Sequence, residues 1–377
     1  MKSNYKRLGD YISEVDVRNR EEKVTRLLGV SIDKKFIESI ANTIGTDMSV
    51  YKIVKRGQFA YGPVTSRNGD KVSIALLTEE NCIISSSYTV FEITETKKLL
   101  PEYLNLWFKR PEFDRYARFH SHGSAREIFD WEEMCNVQLP VPSIEEQEKI
   151  VDAYQKIEDR IALKRKINEN LEKQVTAMYH YIFDTQKTWK DGTIADLGEI
   201  VGGATPSKKK VEYFCDNGIV WLTPKDLTST GLKFIYKGET DITQTAYDSC
   251  STKMMPKGTV LLTSRAPVGS VAIAMVDLCT NQGFKSIVPK EKIGTAYVYY
   301  FLKENKQLLD SYSSGTTFME ISGNVLKEIH IKLPDKEAVS KFNAYCVPVF
   351  NYQIQNEKKI KSLQELKQLL ISKLSNG

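Results

Sequence analysis

The chain has few cysteines, and none of them stands in a pattern that builds a metal site. Six cysteines occur in 377 residues, at positions 82, 135, 215, 250, 279 and 346, without a CxxC pair. Metal ribbons and redox motifs need such close pairs, and small disulfide scaffolds need a higher density of cysteine. We therefore expect reduced thiols, no metal and no other cofactor.

Segments that carry proteins into or across membranes are also lacking. Residues 1–7 have no apolar signal-peptide core, and no uncharged run approaches membrane length. The expectation is a soluble, cytoplasmic protein. An excess of one charge is scarce as well, because 53 Lys and Arg against 48 Asp and Glu leave only net +5. Such a dilute charge permits a polyanionic partner without demanding one.

Catalytic motifs are missing too. The sequence has no Asn/Asp-Pro-Pro-aromatic tetrad of an adenine methyltransferase and no P-loop of an ATPase. Asp335 and Glu357 match a nuclease spacing loosely, but Glu357 lies on a predicted long helix, so coincidence is favoured. His120 and His122 could form a metal pair, but a solvated helix end is favoured because no third ligand is evident nearby. The chain is therefore expected to be non-catalytic.

A long helical pattern is what the chain does contain, over residues 143–183. Ser143 and Glu146 form a capping box at its start. Apolar residues then recur at alternating steps of four and three, which is a heptad seam, and Lys164 and Asn168 interrupt it. About forty residues make a helix of about 60 Å. The apolar members of this seam are Ile150, Tyr154, Ile157, Ile161, Leu171, Val175, Met178 and Ile182.

A second heptad pattern lies at the end of the chain and is predicted to pair with the first, antiparallel. Its apolar positions are Ile360, Leu363, Leu366, Leu370 and Leu374. Pro348 lies within this second pattern and predicts a kink or a late helix start, since proline removes one hydrogen bond of a helix. Lys164 and Asn168 fix the register of the pair in one interpretation and mark a solvent-facing kink in the other.

The two blocks before these helices read as mixed α/β domains and repeat each other. Leu8-Gly9-Asp10 is echoed by Leu197-Gly198-Glu199, and Arg56-Gly57 by Lys257-Gly258. Further pairs keep this order at an offset between 189 and about 200, which indicates an internal duplication. The predicted organisation is a first domain over residues 1–142, a helix over 143–184, a second domain over 185–335 and a helix over 336–377. Two similar units of this kind tend to pack about a pseudo-two-fold axis.

Polar loops follow the predicted strands at matching places in both copies. Arg can bond guanine, and Asn or Gln can bond adenine, so these loops are plausible base readers, although solvated turns explain each loop alone. The candidate DNA-binding residues are Tyr61, Arg67, Asn68, Lys71, Ser86, Tyr88 and Arg126 in the first block, and Thr205, Ser207, Lys208, Lys209, Lys225, Ser264, Arg265, Asn281, Gln282 and Thr316 in the second.

The whole chain resembles the specificity (S) subunits of type I restriction–modification systems. The residues that carry this resemblance are Gly203-x-Thr205-Pro206-Ser207, Gly218-x-x-Trp221, Ser264-Arg265-Ala266-x-x-Gly269, Asn281-Gln282-Gly283-Phe284, Gly315-Thr316, and Leu139-Pro-Val-Pro leading into Glu145-Glu146-Gln147. The resemblance implies two target-recognition domains that each read one half of a bipartite, asymmetric duplex DNA sequence. The helices would set the gap between the halves and dock two methyltransferase (modification) subunits, which in turn join restriction subunits.

Three departures separate the two copies. The first copy has residues 14–20 where the second has the Gly-Thr-Pro-Ser loop, so different half-sites are expected. The second helix has Val339 in place of Gln147, and it contains Pro348. An alternative to DNA recognition is a coiled-coil scaffold that binds only protein.

Overall fold

The structure is a computed structural model that describes residues 5–39, 45–66, 68–69, 71–123, 126–186, 188–265, 267–313 and 319–374, apart from the side chain of Thr230. The chain divides into two compact units. Unit 1 comprises residues 1–163 and 359–377, and unit 2 comprises residues 164–358. Each unit therefore includes part of each long helix.

Unit 1 is built from short strands followed by three small helices. Its elements are β1 (Tyr5–Arg7), β2 (Ile12–Val15), β3 (Leu28–Val30), β4 (Phe36–Glu38), β5 (Lys52–Val54), β6 (Phe59–Tyr61), β7 (Ile74–Leu76), β8 (Cys82–Ile84), β9 (Thr89–Ile93), α1 (Pro101–Phe108), α2 (Pro111–Phe119), α3 (Trp131–Asn136), β10 (Gln138–Pro140) and the start of α4 (Ile144–Phe183). The central sheet has the order β2-β9-β6-β7, and β1 pairs with β10.

Unit 2 repeats this plan with one more strand in its central sheet. Its elements are β11 (Lys190–Thr193), β12 (Gly198–Gly202), β13 (Phe214–Cys215), β14 (Ile219–Leu222), α5 (Pro224–Thr230), β15 (Phe234–Ile235), β16 (Asp241–Ile242), α6 (Gln244–Asp248), β17 (Val260–Leu262), β18 (Val271–Ala274), β19 (Cys279–Thr280), β20 (Lys285–Pro289), α7 (Thr295–Glu304), α8 (Lys306–Ser311), α9 (Gly323–Glu328), β21 (His330–Leu333) and most of α10 (Lys336–Lys373). The central sheet has the order β12-β20-β17-β18-β15, and β11 pairs with β21.

Four strands of each central sheet correspond in order and direction. β2-β9-β6-β7 matches β12-β20-β17-β18, and each neighbouring pair is antiparallel. The two-stranded sheets β1-β10 and β11-β21 also correspond, and small helices follow the central sheet in both units. The prediction of a mixed α/β chain with an internal repeat and two long helices is confirmed.

Aromatic residues fill the core of unit 1 between the central sheet and the small helices. The rings of Phe59 and Phe91 stack with their centroids 4.9 Å apart, and Phe108 and Phe113 lie 4.7 Å apart. All four side chains are fully buried. Burying one such side chain contributes about 1.5–3 kcal/mol, so this cluster holds the sheet and helices of the unit together.

The start of α4 forms as its sequence predicts. Ser143 Oγ accepts a hydrogen bond from the Glu146 backbone N–H, and Glu146 Oε2 accepts one from the Ser143 N–H, both at 3.3 Å. The capping box is therefore confirmed. The second long helix uses a different cap, because Asp335 Oδ2 accepts from the Glu337 N–H at 2.9 Å. Helix α10 begins at Lys336, before Pro348, and continues to Lys373, so the prediction of a late start is wrong.

The two heptad seams face the interior. Every predicted seam residue of α4 is buried or half-buried, as are Ile360, Leu363, Leu370 and Leu374 of α10. Leu366 is 50% exposed, so its assignment to the seam is wrong. Lys367 takes the seam position and pairs with Glu158 across the helices of unit 1. The long stem of a lysine can cover apolar surface while its charge meets a carboxylate, which explains the substitution.

Polar residues of the seam cross-link the two long helices in unit 2. Asn356 Nδ2 donates to Asn168 Oδ1 at 2.9 Å, and Lys164 Nζ donates to Asn356 Oδ1 at 3.2 Å. Asn168 Nδ2 also donates to the carbonyl of Gln353 at 3.3 Å. Asn356 and Gln353 are buried. A shift of either helix by one turn would leave these amides without partners, so the network supports the register interpretation of Lys164 and Asn168.

Candidate nucleic-acid interface

The Gly-Thr-Pro-Ser loop of unit 2 is anchored to the end of β19. A Cβ at Gly203 would lie 2.1 Å from the carbonyl oxygen of Thr280, so only glycine allows this approach. The Ala204 N–H donates to the Thr280 carbonyl at 2.9 Å, and Trp221 Nε1 donates to the Ala204 carbonyl at 3.1 Å. The loop is thus a built feature of the domain, while Ser207, Lys208 and Lys209 beyond it are exposed.

Thr205 and Gln282 come together although 77 residues separate them in the sequence. The hydroxyl of Thr205 donates to the side-chain oxygen of Gln282, whose side chain is exposed. Asn281 faces its own turn, because its Oδ1 accepts from the Gly283 N–H at 2.8 Å. The Gln282 oxygen is therefore engaged by Thr205 and the Asn281 oxygen by its own turn, while the Gln282 side chain stays exposed.

A third loop joins the same surface through the backbone of Ser264. The Ser264 N–H donates to the Gly283 carbonyl at 2.8 Å, and the Ser264 carbonyl accepts from the Ile321 N–H at 3.0 Å. The side chain of Ser264 is only 1% exposed, so its predicted contact with DNA does not fit this structure. Ser264 holds the loops together instead, and the next residue, Arg265, is exposed.

Charged side chains surround these loops. Arg265 Nε lies 3.0 Å from Glu320 Oε2, and Lys285 lies nearby at the start of β20. Burial lowers the pKa of Lys285. The Glu320 carboxylate acts in the opposite direction, and the charge of Arg265 lowers the pKa further. Lys225 pairs with Glu239 at 2.9 Å on the exposed surface of α5. We call the described residues of 203–210, 263–269, 281–285 and 319–323 the loop cluster of unit 2.

Unit 1 builds a similar surface from fewer described residues. The Thr65 N–H donates to the Glu127 carbonyl at 2.9 Å, and the Thr65 hydroxyl donates to Ser121 Oγ at 2.9 Å. Asn68 follows in the turn that Thr65 begins, and Lys71 and Arg126 are exposed. We call the described residues of 62–71 and 118–128 the loop pair of unit 1.

The remaining predicted residues of unit 1 divide between surface and core. Ser86 is exposed, and Tyr88 is half-buried against the strands. Tyr61 is 0% exposed and lies in the aromatic core, so it is out of reach of a duplex in this structure. Because Tyr61 ends a strand, the sequence predicted that its side chain lies on the surface, but β6 is buried on both faces. Arg67 and Thr316 lie outside the described residues.

Sequence reasoning missed the acidic partners and the second arginine of these surfaces. Glu320 pairs with Arg265. Glu127 pairs with Arg118, which lies in the last turn of α2 in unit 1. The dipeptides that contain them, Glu127-Ile128 and Glu320-Ile321, repeat each other in the sequence. The one signal in the sequence is that the two glutamates occupy equivalent places in the repeat. The arginine that each glutamate contacts comes close only on folding.

The His120 and His122 pair proves to have an acidic neighbour. Glu133 lies 2.9 Å from His120 Nδ1 and 3.9 Å from His122 Nε2, and the His120 ring stacks on Tyr116. Among the described residues, no group of three or more His, Cys, Asp or Glu is arranged to hold a metal ion. Across the same ranges, no helix combines the length and the apolar character needed to cross a membrane.

Comparisons with known proteins agree on one family. The profile of the type I restriction modification DNA specificity domain matches residues 33–173 and 186–368. The chain is 22% identical to the HindI specificity subunit of Haemophilus influenzae over 429 aligned positions, which cover 93% of this chain and 92% of that protein. It is 44% identical to the MjaIX specificity subunit of Methanocaldococcus jannaschii over 181 residues, 48% of this chain but only 41% of that protein.

The fold is similar to a solved structure as well. The crystal structure of the type I restriction–modification S subunit from M. genitalium superposes with a TM-score of 0.58 at 12% identity, covering 98% of this chain and 95% of that one. Likeness at this identity shows the fold alone. The family profile, by contrast, spans most of both units and confirms the prediction of a specificity subunit rather than an enzyme. The chain belongs to the family of type I restriction–modification DNA specificity subunits.

Proposed function

We propose that each unit reads one half of a bipartite, asymmetric DNA sequence. The observation that carries this proposal is the pairing of one core plan with two different sets of loop residues. The central sheets match strand by strand, whereas Thr205 and Gln282 of unit 2 correspond to segments 14–20 and 85–88 of unit 1, which contain neither threonine nor glutamine. Two scaffolds of similar fold that carry different loop residues favour recognition of two different half-sites.

The side chains divide into two roles. Arg265 and Gln282 are exposed on a scaffold of fixed backbone contacts, which suits direct contact with base edges in the major groove. Lys208 and Lys209 stand on the loop beside them, and Lys71 and Arg126 stand on the loop pair of unit 1. These exposed cations supply phosphate contacts, which raise affinity without reading sequence. Tyr61 and Ser264 are assigned no contact with DNA because both side chains are buried.

The long helices are proposed to set the gap between the half-sites and to dock two methyltransferase subunits. Helix α4 is continuous from Ile144 to Phe183, and its residues up to 163 belong to unit 1 while those from 164 belong to unit 2. Apolar side chains remain exposed on both helices, among them Leu163, Val347 and Leu369. Such residues suit a partner with an apolar helical face. Restriction subunits would join through these methyltransferase subunits.

Methylome sequencing tests the proposal. The gene is deleted and then restored together with the methyltransferase that co-purifies with its product. We expect one bipartite methylated sequence to disappear and to return, and we expect the purified complex to bind a duplex carrying that sequence. A chain that only scaffolds proteins would co-purify with partners but leave the methylome unchanged, which would overturn the proposal.

A further inference from the structure

An arginine paired with a glutamate occurs at the loop surface of each unit. In unit 2, Arg265 Nε lies 3.0 Å from Glu320 Oε2, and the two residues also form a β-bridge. In unit 1, Arg118 pairs with Glu127. Glu127 lies between α2 and α3 of unit 1, and Glu320 lies between α8 and α9 of unit 2.

Equivalent backbone contacts hold this segment in both units. The Ile321 N–H donates to the Ser264 carbonyl at 3.0 Å, and the Phe129 N–H donates to the Pro63 carbonyl at 2.8 Å. The glutamates precede Ile321 and Phe129 by one and two residues. Folding therefore places a carboxylate beside the candidate reading loop of each unit, on a backbone that is already fixed.

A purely structural role does not account well for these pairs. The side chains of Arg265 and Glu320 are 45% and 35% exposed, and those of Arg118 and Glu127 are 40% and 38% exposed. Ion pairs this open to water contribute little to stability. A carboxylate beside a DNA surface also repels phosphate, so its presence in both copies needs another reason.

The geometry of the unit 2 pair supplies such a reason. Glu320 contacts Nε of the guanidinium, and the two terminal nitrogens of Arg265 are further donors of the same planar group. Those nitrogens form the fork that bonds O6 and N7 of guanine. The carboxylate meanwhile offsets the positive charge that would otherwise bind any phosphate.

We propose that Glu320 is a positioning residue that holds Arg265 for contact with a guanine and limits its attraction to phosphate. Glu127 instead contacts Nη1, a terminal nitrogen of Arg118, and is not given this role. This inference rests on the proposed function. It assigns the Glu320 carboxylate to sequence discrimination rather than to affinity.

Replacement of Glu320 by glutamine tests the inference in the assembled complex. We expect E320Q to bind unrelated duplex more tightly and to steepen the slope of log affinity against log salt by about 0.9. The ratio of specific to non-specific affinity should fall about tenfold, since one oriented bidentate contact is weakened. E320D should restore part of that ratio. R265K, which keeps the charge but loses the fork, should relax the same base position.

Two further variants act as controls. E127Q, which removes the carboxylate beside Arg118 of unit 1, should leave the base contacted by Arg265 unchanged. E291Q also neutralises an exposed carboxylate of unit 2, but Glu291 lies beyond the end of β20 opposite to Lys285. E291Q should leave the discrimination ratio and the methylated motif unchanged. Fluorescence anisotropy against salt measures affinity, and methylome sequencing reports the motif.

The outcomes separate the two proposals. A wild-type methylome without a bipartite motif contradicts the proposed function. A bipartite wild-type motif with an E320Q complex that matches E291Q in salt slope and in motif overturns the inference alone. Equal losses of specific and non-specific affinity in E320Q, with a lowered melting temperature, would assign Glu320 to folding and overturn it as well.

Discussion

Gln147 is a fully buried amide that ties the first long helix to unit 1. Its Oε1 accepts from the Leu100 N–H, and its Nε2 donates to the carbonyls of Lys98 and Pro142, all at 2.9 Å. In unit 2 the aligned residue is Val339, and Asn343, one turn later, makes the equivalent contacts to α7 and to the Ile293 carbonyl. Both units therefore have a side-chain amide that bonds the long helix to the domain, although in unit 2 this amide lies one helical turn later.

Q147A should lower the free energy of unfolding of unit 1 by about 2–3 kcal/mol. The change removes three hydrogen bonds at a fully buried site, and it leaves a backbone N–H and two carbonyls without this partner. Urea unfolding followed by circular dichroism measures the loss. Q155A, on the exposed face of the same helix, should change stability by less than about 0.5 kcal/mol. Equal effects of the two variants would contradict the assigned role.

Glu172 is the centre of a charged cluster in unit 2. Its carboxylate contacts Lys303 Nζ at 2.6 Å, Lys233 Nζ at 2.8 Å and the Tyr300 hydroxyl at 2.9 Å. Burial alone would raise the pKa of Glu172, but attraction from Lys233, with hydrogen bonds from both lysines, outweighs it and lowers the pKa to about 2. The cluster therefore depends on the ionised carboxylate.

E172Q should lower the free energy of unfolding of unit 2 by about 3 kcal/mol at pH 7, since it leaves two cations with reduced compensation. The folded-state pKa lies below the unfolded value of about 4.5. The stability from ionisation is therefore present above about pH 4.5 and is lost as pH falls toward about 2. The difference between wild type and E172Q should shrink across that window in urea titrations.

E169Q provides the matched comparison for Glu172. Glu169 lies on the same helix but is exposed, so its replacement should change stability by less than about 0.5 kcal/mol at any pH. A difference between wild type and E172Q that stays constant from pH 7 to pH 2.5 would contradict the role given to the carboxylate.

The long helices show how an element can tolerate a residue that local rules disfavour. Pro348 lies inside α10, where it lacks the N–H that would donate to the preceding turn, yet the helix continues for 25 residues to Lys373. The buried seam on both sides, including Cys346 and Gln353, holds the helix in place. Tertiary packing thus overrides a local preference that predicted a late start.

P348A should raise the free energy of unfolding of unit 2 by about 2 kcal/mol. Alanine restores the missing hydrogen bond, and the greater freedom of the unfolded chain offsets part of that gain. Pro348 is exposed, so the change leaves no cavity. K358A, at another exposed position of α10, should stay within about 0.5 kcal/mol of wild type. A P348A chain no more stable than K358A would contradict this account.

At the scale of the whole molecule, the length of the long helices is the proposed determinant of the gap in the target. The chain passes between units at Leu163 and Lys164 in α4, and at Lys358 and Lys359 in α10. A seven-residue insertion at both places keeps the heptad phase and lengthens each helix by about 10 Å.

The double insertion should lengthen the gap of the methylated sequence by about three base pairs and leave both half-sites unchanged, because each base pair adds about 3.4 Å. Methylome sequencing reads this directly. An insertion in α4 alone cannot satisfy both the Asn168–Asn356 pair of unit 2 and the Lys367–Glu158 pair of unit 1 in one helix register, so it should abolish methylation. An unchanged gap in the double variant would remove the helices from the role of spacer.

The sequence by itself determined the long helices, the capping box of α4 and the internal repeat. Each of these depends on periodicity or on local chemistry, which hydrophobic spacing records directly. The order of Gly203, Arg265 and Gln282 along the chain also sufficed to indicate the family.

Only the tertiary structure decided which polar residues face outward and which partners they meet. Tyr61 ends one strand and Ser264 follows another, as surface residues do, yet neighbouring elements cover both. Lys367 replaces Leu366 in the seam because Glu158 lies opposite it, and Glu320 reaches Arg265 across 55 residues of sequence. Such contacts join residues that are distant along the chain, so local patterns do not encode them and packing selects them.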